Sequence, residues 1–346
     1  MTDWTSDILR SICMLLLVAF SGYGSVSAAM ISTEGHMHPR PLKKEVPTLK
    51  LKDLAPPFLE YAYFEGHDLR PFVPDASTFS LVNAWWLAEA ATLAYADEDF
   101  AARRFKAAGL DEVRFFNQRS TQCYVASNRQ VALVAFRGSE VWKRRGRPDE
   151  PIAVADFMTN VNVWLTDWTN GAKVHRGFKS ALEEVWDDLL PYLKALQDRG
   201  CRIWMTGHSL GAALATLAAD RYGEVQGVYT FGSPRVGNSR FKERYAIRTH
   251  RFVNGSDMVT GLPPAGFYVH VGELKLIDRE GRILDRPGAD GPVMAASEGE
   301  RGEKAAVENG PLKTPAFMPD AVIDHVPVLY AVMIWNRLID DRSDAE

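Results

Sequence analysis

The sequence predicts an α/β fold in which a mostly parallel β-sheet carries helices on both faces. Apolar runs of strand length alternate along the chain with segments whose apolar residues follow a helical period. These runs are continuous rather than alternating, which is typical of strands that are buried on both faces of a parallel sheet. Several of them end in a glycine-rich turn, as in FGSPR and NGSD. Together these observations indicate the α/β class.

Two helices and three strands are predicted in the first half of the domain. Residues 79–95 place apolar side chains on a helical period behind Ser80, which suits an N-cap, and residues 97–110 predict a second helix. Strands follow at 113–118, 121–127 and 130–138. The turn SNRQ between the last two predicts a β-hairpin.

The second half alternates strands and helices. Its predicted helices lie within 175–200, 209–223 and 324–339. Its predicted strands are 201–207, the apolar runs that open 227–235 and 250–257, and the alternating run 267–277. Residues 286–312 are rich in glycine, alanine and glutamate without periodicity, which predicts a surface loop.

The composition is that of an ordinary soluble globular protein. The chain has 346 residues, 46% of them hydrophobic and 24% charged, and this length suits one large domain or two small ones. A net charge of −4 offers no basic field to nucleic acid. Cys123 and Cys201 lie in apolar, strand-like runs, which favours two buried thiols over a disulfide. Histidine and cysteine form no cluster with metal-ligand spacing, so we expect no metal.

The N-terminus has the pattern of a secretory signal peptide over residues 1–29. An apolar run at 12–20 precedes a stretch of small residues, with Val26 and Ala28 placed as a cleavage signature. This predicts a secreted or periplasmic protein. Two alternatives stay open: residues 12–29 remain as a membrane anchor, or translation starts at Met30 and the protein is cytoplasmic.

The remaining chain divides into an arm and one domain. Residues 30–78 are rich in proline and mixed charge and predict an extended arm, and residues 79–346 form the predicted domain.

The stretch TGHSLGAALATL contains a G-x-S-x-G motif centred on Ser209. It lies between a predicted strand and a predicted helix of small residues, where a nucleophile elbow needs it. Gly207 and Gly211 keep side chains away from the sharp turn, and the helix N-terminus stabilises negative charge beside it. Ser209 is therefore the candidate nucleophile.

A serine hydroxyl needs a base and an orienting acid, which follow the serine in the order acid, then histidine, in this strand–turn–helix architecture. Asp257 ends a later strand and is the candidate acid, with Asp324 as a competitor better suited to a helix cap. His325 follows a loop at the start of a helix and is the favoured base. His270 is the alternative, but the pleat of its predicted strand would fix its side chain.

Two donors are needed for the oxyanion of an acyl-transfer intermediate. One is the N–H of Leu210, which follows the nucleophile. The other comes from the loop after an earlier strand, where Ser139 offers its N–H and its hydroxyl.

These pieces resemble the class 3 lipase family, the fungal-type triacylglycerol lipases. The matching stretches are AFRGSE (135–140), VHRGF (174–178), TGHSLGAALATL (206–217), YTFGSPRVGN (229–238), RFVNGSDMVTGLPP (251–264) and DHVPVLY (324–330). The resemblance implies an α/β-hydrolase fold and an ester-cleaving triad. It implies Ser209, Asp257 and His325 as the triad, and Ser139 and Leu210 as the oxyanion hole.

Residues 141–168 depart from the family pattern, in which an amphipathic lid follows the FRGS stretch. The first part is basic and proline-rich, and reads either as a solvated loop or as a lid edge that favours anionic lipid surfaces. The second part is apolar enough to line an acyl groove, with Phe157, Trp164 and Trp168 as candidate residues.

The sequence therefore predicts a serine-dependent hydrolase of carboxylic esters, most simply acylglycerols. A phospholipase A1 or a carboxylesterase is the alternative, and a non-catalytic lipase-like protein that binds lipid or a partner is a remote one. The expected partner is a lipid ester, with transient contact to a lipid surface. We expect a monomer that requires no cofactor.

Overall fold

A computed structural model describes residues 42–45, 56–139, 164–286 and 319–343. The predicted signal peptide, the basic part of 141–168, Phe157 and nearly all of the loop 286–312 lie outside the described residues.

Ten strands and seven α-helices occur in the described ranges. The strands are β1 (Glu112–Gln118), β2 (Thr121–Ser127), β3 (Val131–Phe136), β4 (Leu165–Asp167), β5 (Lys173–His175), β6 (Arg202–His208), β7 (Gly227–Phe231), β8 (Thr249–Asn254), β9 (Glu273–Ile277) and β10 (Ile283–Arg286). The helices are α1 (Leu81–Leu93), α2 (Glu98–Ala107), α3 (Arg176–Asp198), α4 (Leu210–Tyr222), α5 (Ser239–Arg244), α6 (Asp320–Ile323) and α7 (Pro327–Ser343).

Eight of these strands form one mostly parallel sheet, in the order β1-β2-β3-β6-β7-β8-β9-β10. The five strands from β3 to β9 are parallel, and β1, β2 and β10 add antiparallel edges. β4 and β5 form a separate hairpin. The predicted α/β class is confirmed, and so is the hairpin of β2 and β3.

The two faces of the sheet bury different helices. Leu133 and Ala135 of β3 join a core with α1, α2 and α7, whereas Val134 and Phe136 join a core with α3, α4 and α5. Alternate side chains of each strand thus serve opposite cores, which explains the continuous apolar runs. Cys123 and Cys201 are free, buried thiols, as predicted.

Two predictions near the C-terminal half need correction. The predicted strand 267–277 is a strand only over β9, because Gly272 adopts a φ of +81° that breaks the extended backbone. The predicted helix 324–339 starts later, at Pro327, whose ring suits the first position of a helix. His325 lies in the turn between α6 and α7.

The described part of the predicted arm packs onto the domain. Residues 56–78 form no helix or strand, yet Tyr63 and Phe64 are buried in the core beside α1. No helix within the described ranges is long and apolar enough to cross a membrane.

Candidate active site

Ser209 occupies a sharp turn between β6 and α4, as the motif predicts. Its backbone has a φ of 58° and a ψ of −127°, a combination that residues with a side chain rarely adopt. The turn closes tightly: a Cβ on Gly207 would lie 2.2 Å from the carbonyl carbon of Gly211. A Cβ on Gly211 would lie 2.1 Å from the carbonyl oxygen of Phe136 in β3. Glycine at both positions therefore lets α4 start directly against the sheet.

A chain of hydrogen bonds joins Ser209 to His325 and Asp257. The Nε2 of His325 lies 3.0 Å from the serine Oγ. The Nδ1 of His325 lies 2.9 and 3.0 Å from the two carboxylate oxygens of Asp257, and all three side chains are buried. Since a carboxylate only accepts, Nδ1 carries the proton and Nε2 accepts from the serine hydroxyl. The structure thus brings together the three residues predicted as the triad.

Asp257 accepts hydrogen bonds from two donors that sequence reasoning missed. The Tyr330 hydroxyl donates to its Oδ2 at 2.6 Å, and the Val259 N–H donates to its Oδ1 at 2.9 Å. Burial raises the pKa of Tyr330 well above its usual value, and the charge of Asp257 raises it further. Tyr330 therefore stays a neutral donor. It ends the stretch DHVPVLY, in which the sequence analysis considered only Asp324 and His325.

The competing acid and base lie elsewhere. The Oδ2 of Asp324 accepts from the backbone N–H and the hydroxyl of Ser256, at 2.8 and 3.0 Å, so it holds the turn after β8 rather than the imidazole. His270 lies before β9, with its Nε2 2.8 Å from the carbonyl oxygen of Thr260. Its side chain is fixed by burial and this contact, not by a strand pleat as expected.

His208, which directly precedes the elbow serine, belongs to a hydrogen-bond network around the site. Its Nε2 lies 2.8 Å from the carbonyl oxygen of His325, and its Nδ1 lies 2.8 Å from the Tyr95 hydroxyl. Burial lowers the pKa of His208 well below its usual value, and the neighbouring His325 lowers it further. A neutral His208 donates from Nε2 and accepts the Tyr95 proton at Nδ1. This pair fixes the backbone that carries His325, and no motif in the sequence linked Tyr95 to it.

The two predicted oxyanion donors flank the elbow. Leu210 is the first residue of α4, so its N–H has no carbonyl to bind within the helix. The loop after β3 passes directly beside the elbow, because a Cβ on Gly138 would lie 2.7 Å from the carbonyl oxygen of His208. Ser139 ends the described part of this loop, and its Oγ is buried without a hydrogen-bond partner among the described residues.

Two of the predicted groove residues, Trp164 and Trp168, lie within the described residues. The indole N–H of Trp168 donates to Asp220 at 2.6 Å. Asp220 lies eleven residues after Ser209, about 16 Å along the axis of α4. Trp168 therefore contacts the last part of α4, and its groove-lining role stays a prediction. Trp164 stands just before β4 and is 67% exposed.

Within the described ranges, no three side chains of histidine, cysteine, aspartate or glutamate lie close enough to hold a metal ion. The site described so far consists of protein groups: a hydroxyl, an imidazole, a carboxylate, and two candidate donors for an anion.

Comparison with known protein families gives one match. The family described as lipase (class 3) matches residues 133–267, which span β3 to the turn after β8. This stretch contains Ser139, Ser209, Leu210 and Asp257, but not His325.

Known proteins are similar to part of this chain. A secreted mono- and diacylglycerol lipase 1 from Fusarium solani is 35% identical over 156 residues, covering 42% of this chain and 43% of the relative. A lipase from Rhizomucor miehei is 35% identical over 139 residues, covering 33% and 38%. A phospholipase A1-II 6 from Oryza sativa subsp. japonica is 34% identical over 202 residues, covering 47% and 48%. The chain thus spans less than half the length of these relatives.

A solved structure supports the fold assignment. The crystal structure of a mutant form of MDLA from Penicillium cyclopium superposes with a TM-score of 0.50 at 24% identity. The match covers 62% of this chain and 88% of the other. At this identity the likeness shows the α/β-hydrolase fold alone.

Proposed function

We propose that the chain belongs to the class 3 lipase family and that it hydrolyses acylglycerol esters with Ser209 as the nucleophile. His325 is the general base in this proposal, and Asp257 orients it. The observation that carries the proposal is the continuous chain of contacts from Asp257 through His325 to the Ser209 hydroxyl, each 3.0 Å or shorter.

In the first half of the reaction, the Nε2 of His325 takes the proton of the Ser209 hydroxyl as Oγ attacks the ester carbonyl carbon. The imidazolium that forms is stabilised by Asp257, whose charge is itself held by Tyr330. The carbonyl oxygen becomes an oxyanion. The N–H of Leu210 and the hydroxyl of Ser139 are the donors proposed to receive it.

In the second half, His325 gives its proton to the departing alcohol, and the carbon–oxygen bond of the ester breaks. This leaves the acyl group on Ser209. Water then enters, loses a proton to His325, and attacks the acyl carbon through a second oxyanion. The free acid leaves, and the proton returns to Oγ.

The triad assignment is tested with three variants and a soluble ester such as p-nitrophenyl butyrate. Ser209→Ala removes the nucleophile and is expected to lower kcat by about 10⁶-fold, whereas Asp257→Asn removes the orienting charge and is expected to lower kcat by about 10⁴-fold. Asp324→Asn is the matched control: it changes a neighbouring carboxylate that binds Ser256, and kcat should stay within about fivefold of wild type, because the amide oxygen still accepts hydrogen bonds.

Two outcomes would contradict this reading. If Ser209→Ala keeps its esterase activity, the protein does not act through the elbow serine. If Asp324→Asn loses as much activity as Asp257→Asn, the orienting acid has been assigned to the wrong carboxylate. A catalytically inactive wild-type protein that still binds lipid vesicles would favour the non-catalytic alternative.

The substrate class is tested with a panel of purified lipids. We propose acylglycerols, because one relative is named as a mono- and diacylglycerol lipase and another as a lipase. A rice relative of similar identity is named as a phospholipase A1. Cleavage of phosphatidylglycerol without cleavage of mono-, di- or trioleoylglycerol would therefore replace the lipase proposal by the phospholipase one. Activity on p-nitrophenyl butyrate alone would leave a carboxylesterase.

We also propose that residues 1–29 direct export, on the basis of their apolar run and cleavage pattern. The relative from Fusarium solani is named as secreted, which agrees with this. N-terminal sequencing of the protein from fractionated cells tests it. A mature N-terminus close to residue 29 outside the cytoplasm supports export, and an intact protein starting at Met1 or Met30 in the cytoplasm contradicts it.

A further inference from the structure

The ammonium group of Lys44, a residue of the predicted arm, lies among three aromatic rings. Its Nζ is 4.7 Å from the ring centre of Tyr61, 5.9 Å from that of Trp85 and 5.4 Å from that of Trp335. The Lys44 side chain is only 9% exposed. Aromatic rings arranged around a cation in this way attract it through their electron-rich faces, most strongly when water is excluded.

A fully buried carboxylate completes this cage. Glu89, in the middle of α1, has no exposed side-chain surface, and its Oε1 lies 3.3 Å from the Nζ of Lys44. Oε1 also accepts from the Tyr61 hydroxyl at 2.7 Å and the Trp85 indole N–H at 2.9 Å. The Phe64 N–H donates to Oε2 at 3.4 Å. A buried charge is costly without a partner, so this carboxylate requires a cation beside it.

The backbone around Lys44 is also bound by side chains of α7. The amide of Asn336 makes a two-way contact: its Oδ1 accepts from the Lys44 N–H at 2.8 Å, and its Nδ2 donates to the Lys44 carbonyl at 3.0 Å. The Trp335 indole N–H donates to the Leu42 carbonyl at 3.0 Å. These contacts imitate the pairing of a β-strand, and they fix an extended segment whatever its side chains are.

We propose that α1, α7 and Tyr61 of the packed part of the arm together form a binding site for a lysine-bearing peptide segment, and that Lys44 of the chain's own arm occupies it. Residues Tyr61, Trp85, Glu89 and Trp335 recognise a primary alkylammonium group, and Asn336 recognises the backbone. We name these five residues the lysine site. The bound arm serves as a strap that holds α7 against α1.

None of the residues of the lysine site belongs to the proposed triad or to the proposed oxyanion hole. The exposed neighbour Lys43, which pairs with Asp340 at 2.6 Å with both side chains at least 40% exposed, offers a matched control. A surface pair of this kind contributes little to stability.

The experiment compares the full-length chain with Lys44→Ala, Lys44→Met and Lys43→Ala by thermal denaturation. Removing the partner of a buried charge in a domain of this size is expected to lower Tm by about 10 °C, in both Lys44 variants. Lys43→Ala should lower Tm by about 2 °C or less. The Lys44→Met variant keeps the aliphatic stem, so it separates loss of charge from loss of packing.

Ligand rescue then tests the chemical class of the site. n-Propylammonium chloride should raise the Tm of Lys44→Ala in a saturable way, because binding to the folded state alone stabilises it. Sodium chloride at equal ionic strength and n-propanol should not do so, and Lys43→Ala should not respond. If Lys44→Ala does not fold, Lys44→Met and Asn336→Leu are measured instead, and both are expected to lower Tm.

Three results would overturn the proposal. The first is a Tm of Lys44→Ala that lies as close to the wild-type Tm as the Tm of Lys43→Ala does. If Lys44→Ala does not fold, the same result for Lys44→Met and Asn336→Leu counts instead. The second is Lys44→Met with wild-type stability, which would assign the contact to the apolar stem. The third is a rescue by n-propanol equal to that by n-propylammonium.

Discussion

Gly232 offers the sharpest test of the site geometry. It follows β7 with a φ of +57°, and a Cβ at this position would lie 2.6 Å from the Oδ2 of Asp257 and 2.9 Å from the Nδ1 of His325. The closest ordinary contact of a real Cβ is 3.4 Å. In Gly232→Ala, the carboxylate therefore has to retreat by about 0.8 Å and the imidazole by about 0.5 Å, these being the differences from that ordinary distance.

The expected effect on activity is large because both members of the pair move. A misplacement on the order of 1 Å near reacting groups costs about 10²-fold in rate, so we expect kcat/KM to fall by about 10²-fold. The strained φ adds about 1–2 kcal/mol to the cost of folding. Hydrolysis of p-nitrophenyl butyrate measures the first effect, and urea unfolding measures the second.

Gly223→Ala is the matched control. Gly223 follows α4 with a φ of +83°, but a Cβ there would meet nothing within 4 Å. This variant carries the same backbone strain without the clash, so it should lose about 1–2 kcal/mol of stability and keep its full kcat/KM. If Gly232→Ala retains activity within threefold of Gly223→Ala, the close packing of Asp257 and His325 around Gly232 does not set the rate, and the reasoning fails.

Two further predictions concern the oxyanion donor and acid stability. Ser139→Ala removes a buried hydroxyl that has no hydrogen-bond partner among the described residues. We expect kcat to fall by about 10²–10³-fold with KM little changed. A loss of kcat below threefold would exclude the hydroxyl as an oxyanion donor. His270 has a pKa held well below the usual 6.5, chiefly by burial, so it stays neutral when folded while the unfolded chain takes up a proton. Its contribution to stability is thus complete above pH 6.5 and falls by about 1.4 kcal/mol per pH unit below it. His270→Gln keeps a hydrogen-bond donor for the Thr260 carbonyl. Between pH 6 and pH 5 its unfolding free energy should fall by about 1.4 kcal/mol less than that of wild type. Urea unfolding that shows the same fall for both proteins would refute this prediction.

The layout of the predicted triad could be inferred from the sequence because a parallel sheet brings the carboxyl ends of its strands to one edge. β6, β7 and β8 are adjacent and parallel, so the chain that leaves their carboxyl ends emerges at one edge. Ser209 and Asp257 follow two of these ends. Once the serine is assigned, chain order alone leaves few candidates for the acid and the base, and the structure places the favoured ones within hydrogen-bond distance.

The tyrosines that bind the acid and His208 could not be inferred in this way, because no motif or periodic pattern in the sequence identifies them. Tyr330 contacts Asp257 across 73 residues, and Tyr95 contacts His208 across 113. In the sequence, both tyrosines are simply apolar residues on helical faces. The hydrogen bond from the Trp168 indole N–H to Asp220 was missed for a related reason, because the sequence does not show which carboxylate lies beside the indole.

Helix α7 connects the predicted base to the arm. α7 begins two residues after His325, carries Tyr330 in its first turns, and presents Trp335 and Asn336 about one and a half turns further on. A helix is a stiff element, so the group that stabilises Asp257 and the groups that bind Lys44 keep a fixed spacing along one rod. The position of α7 against α1 is set at one end by the contact of Thr92 with the Pro327 carbonyl, and further along by Lys44 and Glu89. The arm, which contributes nothing to the proposed chemistry, therefore contributes to the rigidity of the helix that the chemistry requires.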